Sequence, residues 1–223
     1  MPGAFSDVTM ARFEAVYRHE VRPLHGENAR GGCMHAVYAG LEALFGERYG
    51  FRGAFFREFF RANRRLARDR GISEEGLNTI DRVFSALESE GVAEEWMAFE
   101  RIDGGWALRE SHASVSVEGE LLARVGSLPD GFHVFGVSAA GGYHSLLLAV
   151  RQLSFDARVY WMDQYSDGIH RSRPGGFVAS PDVTGRLDTE LLQLPRGRTQ
   201  VWRLVPNAAD GISMPRDGSL SFP

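Results

Sequence analysis

The pattern of apolar residues changes at the turn Asp103-Gly-Gly105. Before this turn, apolar residues recur every three or four positions, which is typical of amphipathic helices. After it they form short runs rich in valine, leucine and aromatic residues, which is typical of strands. Helices followed by strands predict an α+β fold with a largely antiparallel sheet. We expect a single domain over 1–223, with a helical half over about 1–100 and a β-rich half over about 105–223.

The individual segments follow from the same periodicities. Apolar residues at helical spacing predict helices over 9–20, 34–45, 51–70 and 73–90, with one or two further turns over 92–99. Runs typical of strands are found at 106–109, 115–117, 133–138, 143–151, 157–162 and 200–205, with a short helix over 119–125.

The charge and cysteine content exclude several classes of protein. The chain has 25 basic and 29 acidic residues and a net charge of −4, so it offers no general attraction to nucleic acid. One cysteine cannot form an internal disulfide. No window approaches the ~18 apolar residues of a membrane span, and the N-terminus lacks a signal peptide pattern. We expect a protein made in the cytoplasm and not inserted in a membrane, with delivery into another cell left open.

The chain's only cysteine, Cys33, follows Gly31-Gly32 at the start of a predicted helix. A thiol at a helix N-terminus feels the positive end of the helix dipole, which favours the nucleophilic thiolate. Free cysteines are also among the most buried residues and are often inert, so a small core residue is the alternative interpretation. The choice depends on whether Cys33 has a base.

Two residues in the β-rich half are candidate partners for the thiol. His144 begins an apolar predicted strand, and Asp163 directly follows the next predicted strand. Neighbouring strands would bring the two together. In thiol catalysis the imidazole takes and returns the proton, and a carboxylate fixes its orientation, so the sequence predicts a Cys33, His144 and Asp163 triad.

The attack on a carbonyl also needs donors for the oxyanion. The backbone N–H of Cys33 is one candidate, and the side chain of Asn28 or Gln164 is expected to supply another. Gly142 is expected to let the backbone or the substrate approach next to His144.

Other histidines of the chain are alternatives to His144, and a metal centre is an alternative to the triad. His112, His133 and His170 are the substitutes for the base, whereas His35 is expected to be structural. No histidine and acid spacing typical of a metal site occurs, so we expect neither a metal nor another cofactor.

The segments around Cys33, His144 and Asp163 resemble those of the papain-like cysteine hydrolases. That superfamily includes the NlpC-type peptidoglycan endopeptidases and several bacterial effector proteases and amidases. The resemblance rests on a Gly-Cys at a helix start, a Gly-x-His-Ser strand, and an aromatic-flanked acid on the next strand. Glu27 stands where papain itself has a glutamine, and Tyr160-Trp161 before the acid is closer to the bacterial effectors.

This resemblance implies a papain-like fold, with the nucleophile's helix packed on an antiparallel sheet. It further implies amide hydrolysis through an acyl-thioester by a bacterial toxin or effector, for example of a type VI secretion system. The substrate would be a peptidoglycan peptide or a protein, and the partners an immunity protein or a secretion component. Two alternatives stay open: transglutaminase or deamidase chemistry on a protein glutamine, and a non-catalytic adaptor or binding domain with Cys33 in the core.

Overall fold

The computed structural model describes residues 4–21, 32–45, 83–85, 87–139, 144–153, 156–162 and 197–206. These residues form a seven-stranded antiparallel sheet with helices packed against it. The helices are α1 (Asp7–Val16), which continues into a π-helical turn (Tyr17–Val21), α2 (Gly32–Phe45) and α3 (Val117–Val125). The strands are β1 (Ala93–Ile102), β2 (Gly105–Leu108), β3 (Ser114–Val115), β4 (Gly131–Ala139), β5 (His144–Leu153), β6 (Asp156–Met162) and β7 (Arg198–Leu204).

The sheet has the strand order β3-β2-β1-β7-β4-β5-β6, and every described ladder is antiparallel. β4 and β5 are consecutive and pair along their whole lengths. β7 lies between β1 and β4 and pairs with both, so it joins the group β1–β3 and the group β4–β6 into one sheet. The prediction of an α+β fold with a largely antiparallel sheet is confirmed.

Side chains alternate between the two faces of the sheet, as pleated strands require. On β5, Leu147 and Ala149 belong to the apolar cluster that also contains the buried residues of α1 and α2, and we call this side the α2 face. Leu146 and Leu148 belong to the cluster that contains the buried residues of α3, and this side is the α3 face. The sheet is therefore covered on both sides.

Sequence signals of helix ends agree with the described helices. The Ser6 hydroxyl caps α1 by accepting a hydrogen bond from the Thr9 N–H at 3.2 Å, and Asp7 adds a negative charge to the first turn. Ser116 caps α3 in the same way through the Gly119 N–H at 3.0 Å. None of the described helices is long and apolar enough to cross a membrane.

Most predicted elements coincide with described ones. Helices were expected at 9–20, 34–45 and 119–125, and strands at 106–109, 133–138, 143–151, 157–162 and 200–205; all are found, with small shifts of their ends. Of the strand predicted at 115–117 only Val115 lies in a strand, β3, because Ser116 already caps α3. The predicted helix over 51–70 lies outside the described residues. Of 73–90 only 83–85 and 87–90 are described, and 83–85 and 87–89 are helical.

The prediction of helical turns over 92–99 is wrong, because these residues lie in β1. The helical half therefore ends before residue 93 rather than near residue 100. β1 pairs with β2 on one side and β7 on the other, which satisfies its backbone groups without a helix. Two ion pairs reinforce the pairing with β7, from Arg203 to Glu94 at 3.2 Å and from Arg198 to Glu95 at 2.9 Å.

The helical segment 83–85, which contains Phe84, lies close to the sheet because residue 136 is a glycine. The ring of Phe84 stacks on Trp202 of β7, with centroids 5.9 Å apart. A Cβ added at Gly136 of β4 would collide with that ring. Gly136 therefore allows Phe84 to lie flat on the α2 face.

Gly136→Ala is expected to lower the free energy of unfolding by about 1–3 kcal/mol, since a fully buried ring must move to admit the methyl group. Urea denaturation measures this loss. Gly126→Ala is the matched control, because Gly126 has right-handed helical angles and the nearest atom to an added Cβ is at 3.4 Å. Equal stability of the two variants would contradict the contact.

His133 of β4 is a buried, hydrogen-bonded histidine. Its Nε2 lies 2.7 Å from the carbonyl oxygen of Pro129. Burial lowers the pKa of His133 below its ordinary value, the hydrogen bond to Pro129 opposes this change, and the charge of Arg203 adds to it. The folded protein therefore takes up a proton at His133 less readily than the unfolded chain.

We expect His133 to make the folded state less stable as the pH falls from about 7 through the ordinary histidine pKa of about 6.5. In this range the unfolded chain binds a proton that the folded chain excludes. Above this range neither state binds the proton, so the contribution of His133 to the free energy of unfolding has its full value. Urea denaturation between pH 5.5 and 7.5 should show a weaker pH dependence for His133→Gln than for the native chain. A profile for His133→Gln as steep as that of the native chain would contradict the assignment.

Candidate active site at one end of the sheet

Cys33 is the second residue of α2. Its side chain is buried, at 7% exposure, within the apolar cluster on the α2 face. The first four N–H groups of an α-helix have no acceptor within the helix, so the sulfur lies beside donors and at the positive end of the helix dipole. The prediction that the cysteine opens a buried helix is confirmed.

The direction of α2 over the sheet follows from its last residue. The ring of Phe45 lies 6.0 Å from that of Phe5. The N–H of Phe5 donates to the carbonyl oxygen of Phe132 at 2.8 Å, and Phe132 pairs with Arg151 near the end of β5. The C-terminus of α2 therefore lies close to the last residues of β5.

The helix and the strand are matched in length. α2 packs on β5, and its 14 residues span ~21 Å at ~1.5 Å per residue. The six steps of strand from Arg151 back to Ser145 cover ~20 Å at ~3.3 Å per residue. Since Phe45 lies at the Arg151 end, we infer that α2 runs along β5 and brings Cys33 toward the first residues of that strand.

β6 brings a third segment to the same end. β5 and β6 are antiparallel, and Leu147 near the start of β5 pairs with Met162, the last residue of β6. Asp163 is the next residue in the chain but lies outside the described residues. The N-terminus of α2, the start of β5 and the end of β6 thus converge at one end of the sheet, which we call the Cys33 end.

The two described members of the predicted triad lie on different faces there. His144 is buried and pairs with Ala139 in the β4 and β5 ladder. Ala139 belongs to the cluster on the α3 face, and so does Leu146, two residues after His144. The alternation of β5 therefore assigns His144 to the α3 face, whereas Cys33 packs on the α2 face.

A row of polar side chains lies on the α2 face at this end. Ser145 of β5 pairs with Ser138 of β4, which pairs in turn with Gln200 of β7. The Gln200 amide donates to Glu95 at 2.6 Å, and both serines are buried, at 1% exposure. Among the described residues the Ser145 hydroxyl has no hydrogen-bond partner. We did not predict this row from the sequence, although Ser145 stands out as a serine in an otherwise apolar strand.

The substitute bases fit less well. His133 lies on the α3 face, where it is bound to Pro129, and His112 is exposed in the segment between β2 and β3. Burial raises the pKa of Tyr38, so this phenol on α2 stays protonated and supplies no base. The remaining predicted residues lie outside the described part of the chain: Asn28, Gly142, Asp163, Gln164 and His170.

The described residues contain no group of three or more histidine, cysteine or acidic side chains that could hold a metal ion. The Cys33 end therefore contains a buried thiol at a helix N-terminus, a histidine at the first residue of β5, and a row of polar side chains on the α2 face. Comparison with known proteins adds no relative: no family model, no curated protein and no solved structure matches the chain.

Proposed function

We propose that the chain is a papain-like cysteine hydrolase that cleaves an amide bond, with Cys33 as nucleophile, His144 as base and Asp163 as the group that orients the imidazole. The observation that carries this proposal is the convergence of α2, β5 and β6 at the Cys33 end. Three segments that are far apart in sequence, two of which carry Cys33 and His144 and the third of which directly precedes Asp163, approach one another there. The resemblance of the same segments to papain-like hydrolases supports it independently.

In the proposed reaction the Cys33 thiolate attacks the carbonyl carbon of the substrate amide. The N–H groups of the first turn of α2 stabilise the negative charge that forms on the carbonyl oxygen. The protonated His144 gives its proton to the leaving amine, and water then attacks the thioester to regenerate the thiol. Asn28, Gln164 and Gly142 are proposed to contact the oxyanion or the substrate.

This mechanism places one demand on β5. The His144 imidazole must reach the α2 face, so the first residue of β5 must turn away from the alternation of the strand. Only one pair of the ladder, Ala139 with His144, is affected, because this pair is the last one before the connection between β4 and β5. The required change of direction is confined to the first residue of β5, so the role of His144 can be tested separately from that of Cys33.

The substrate is proposed to be a peptidoglycan peptide or a protein, and the chain a bacterial effector with a dedicated immunity protein. This part rests on the resemblance to effector amidases and proteases. Expression in the two compartments of a bacterium separates the substrates. An enzyme that cleaves the wall harms the cell only from the periplasm, whereas one that cleaves cytoplasmic protein harms it without export.

A second candidate function is a non-catalytic adaptor or binding domain. Two observations favour it: the burial of Cys33 within an apolar cluster, and the assignment of His144 to the opposite face of the sheet. In this case the thiol is a packing residue.

Cys33→Ala is expected to abolish amide cleavage and growth inhibition while the fold is retained, with a loss of about 10³-fold or more in rate. Cleavage is measured by mass spectrometry on peptidoglycan sacculi and on a mixture of cell proteins, and the fold by thermal unfolding. Cys33→Ser is the matched control, because it keeps the volume of the side chain and should be equally inactive.

Retention of full activity by Cys33→Ala would contradict the hydrolase. A mass gain of about 1 Da at a glutamine, or a new amide cross-link, would instead identify the deamidase or transglutaminase reaction.

Iodoacetamide labelling of the native chain tests His144. In the hydrolase, Cys33 is modified rapidly at pH 7, and His144→Ala slows this by about tenfold or more because the thiolate loses its partner. His133→Gln is the matched control, since it changes another buried histidine of the α3 face without affecting the thiol. Labelling that occurs only in denaturant would support the second candidate and contradict the first.

A further inference from the structure

We propose that Arg124 of α3 holds β1 in one of two registers with β7, and that without this arginine the first residues of β1 shift by one position. This inference concerns the conformation of the sheet and does not depend on the proposed function. It reaches the candidate site all the same, because the shift would move Glu95 from one face of the sheet to the other.

β1 contains a bulge at Trp96. The ladder with β7 pairs Glu95 with Trp202. The next pair is Met97 with Val201, so the ladder skips Trp96. Trp96 and Met97 both pack in the cluster on the α3 face, whereas neighbouring residues of a regular strand point to opposite faces. A bulge disrupts the ladder locally, so the backbone of Trp96 needs a partner from elsewhere.

Arg124 supplies that partner. Its Nη1 donates to the carbonyl oxygen of Trp96 at 3.0 Å. Two carboxylates orient the guanidinium: Nε donates to Glu120 of α3 at 3.1 Å, and Nη2 lies 3.5 Å from Glu110, between β2 and β3. Hydrogen bonds from charged donors are among the stronger ones in proteins. The contact therefore stabilises the bulged register from the side of α3.

The sequence of β1 provides a second register, because two glutamates are adjacent in it. In the observed register Glu94 forms the ion pair with the buried Arg203, at 3.2 Å. Without the bulge, the register of Met97 with Val201 would continue into the first residues of β1. Glu95 would then stand opposite Arg203. A carboxylate reaches the buried guanidinium in either register, so this ion pair does not choose between them.

The remaining contacts of the two registers differ. In the observed register the ring of Trp96 stacks on Phe135, with centroids 4.7 Å apart. Glu95 accepts hydrogen bonds from Arg198 at 2.9 Å and from Gln200 at 2.6 Å. In the shifted register Trp96 would take the place of Glu95 on the α2 face, where the glutamate side chain is 29% exposed and a larger one can extend into solvent. Of these contacts, only the hydrogen bond from Arg124 acts on the bulged backbone itself.

The register couples the two faces of the sheet. Gln200, which donates to Glu95, pairs with Ser138 in the polar row on the α2 face. In the shifted register Glu95 would leave Gln200 and join Arg203 on the α3 face. A contact made by α3 on one face therefore determines which polar groups meet on the other.

Nuclear Overhauser contacts between the backbone protons of β1 and β7 in the isotope-labelled full chain measure the register. Glu95 lies opposite Trp202 in the observed register and opposite Arg203 in the shifted one. Arg124→Met removes the donor but keeps an apolar stem of similar length. The ratio of shifted to observed register is expected to rise by about tenfold or more, the size expected for the loss of one hydrogen bond from a charged donor, and a second set of β1 signals appears.

Glu120→Gln and Glu110→Gln are the matched controls. Each removes one ion pair of Arg124 and leaves the donor to Trp96 in place. Both are expected to keep the ratio of registers within about twofold of the native chain, since exposed ion pairs are weak. Arg124→Lys keeps a charged donor, so its second set of signals should be smaller than that of Arg124→Met.

A single set of β1 signals in Arg124→Met, with Glu95 opposite Trp202, would overturn the inference. An unfolded Arg124→Met chain, detected by thermal unfolding, would also overturn it, because β1 would then have no second register to adopt. Equal second sets in Arg124→Met and in the two glutamine variants would show that the ion pairs, rather than the donor to Trp96, select the register.

Discussion

The packing of α2 along β5 is the contact on which the rest of the candidate site depends. Phe45 anchors the end of the helix to Phe5, and Phe5 is hydrogen-bonded to Phe132 at the far end of the sheet. With that end fixed, the length of the helix brings Cys33 to the first residues of β5. Among the side chains of α2 whose burial is described, all but Glu42 are buried, and this burial stabilises the arrangement.

Pleating of β5 is the second constraint, because it separates neighbouring residues onto opposite faces. His144 and Ser145 are adjacent in sequence, but the ladder assigns the first to the α3 face and the second to the α2 face. A shift of one residue at the start of a strand exchanges the two faces. The conformation of very few residues at the start of β5 therefore decides which side chains face the side of the sheet on which Cys33 lies.

The elements that sequence analysis predicted correctly are those whose local pattern and tertiary environment agree. α2 has both helical spacing and a buried position, and β4 and β5 have apolar runs that are buried on both faces. β1 is the exception. Its alanine, glutamate and methionine residues favour a helix locally, but pairing with β7 and the ion pair from Glu94 to Arg203 outweigh this preference. These contacts join residues about a hundred positions apart, which no local window detects.

For the candidate site, the sequence identified the residue types and their order but not their faces. The glycine pair before Cys33 and the strand that begins with His144 are visible as local patterns, and they predicted the helix start and the strand start correctly. The buried serine row on the α2 face went unpredicted, because a serine in a strand has no signature until its cross-strand partners are known.

The sequence by itself determined which segments are helices or strands wherever their hydrophobic period was clear, and it determined that a single thiol opens a buried helix. Only the tertiary structure decided which end of the sheet that helix reaches, which side chains share its face, and that residues 93–102 are a strand. The physical reason is that periodicity records the burial of one segment at a time. The direction of packing and the register between strands come from contacts between segments that are distant in the chain.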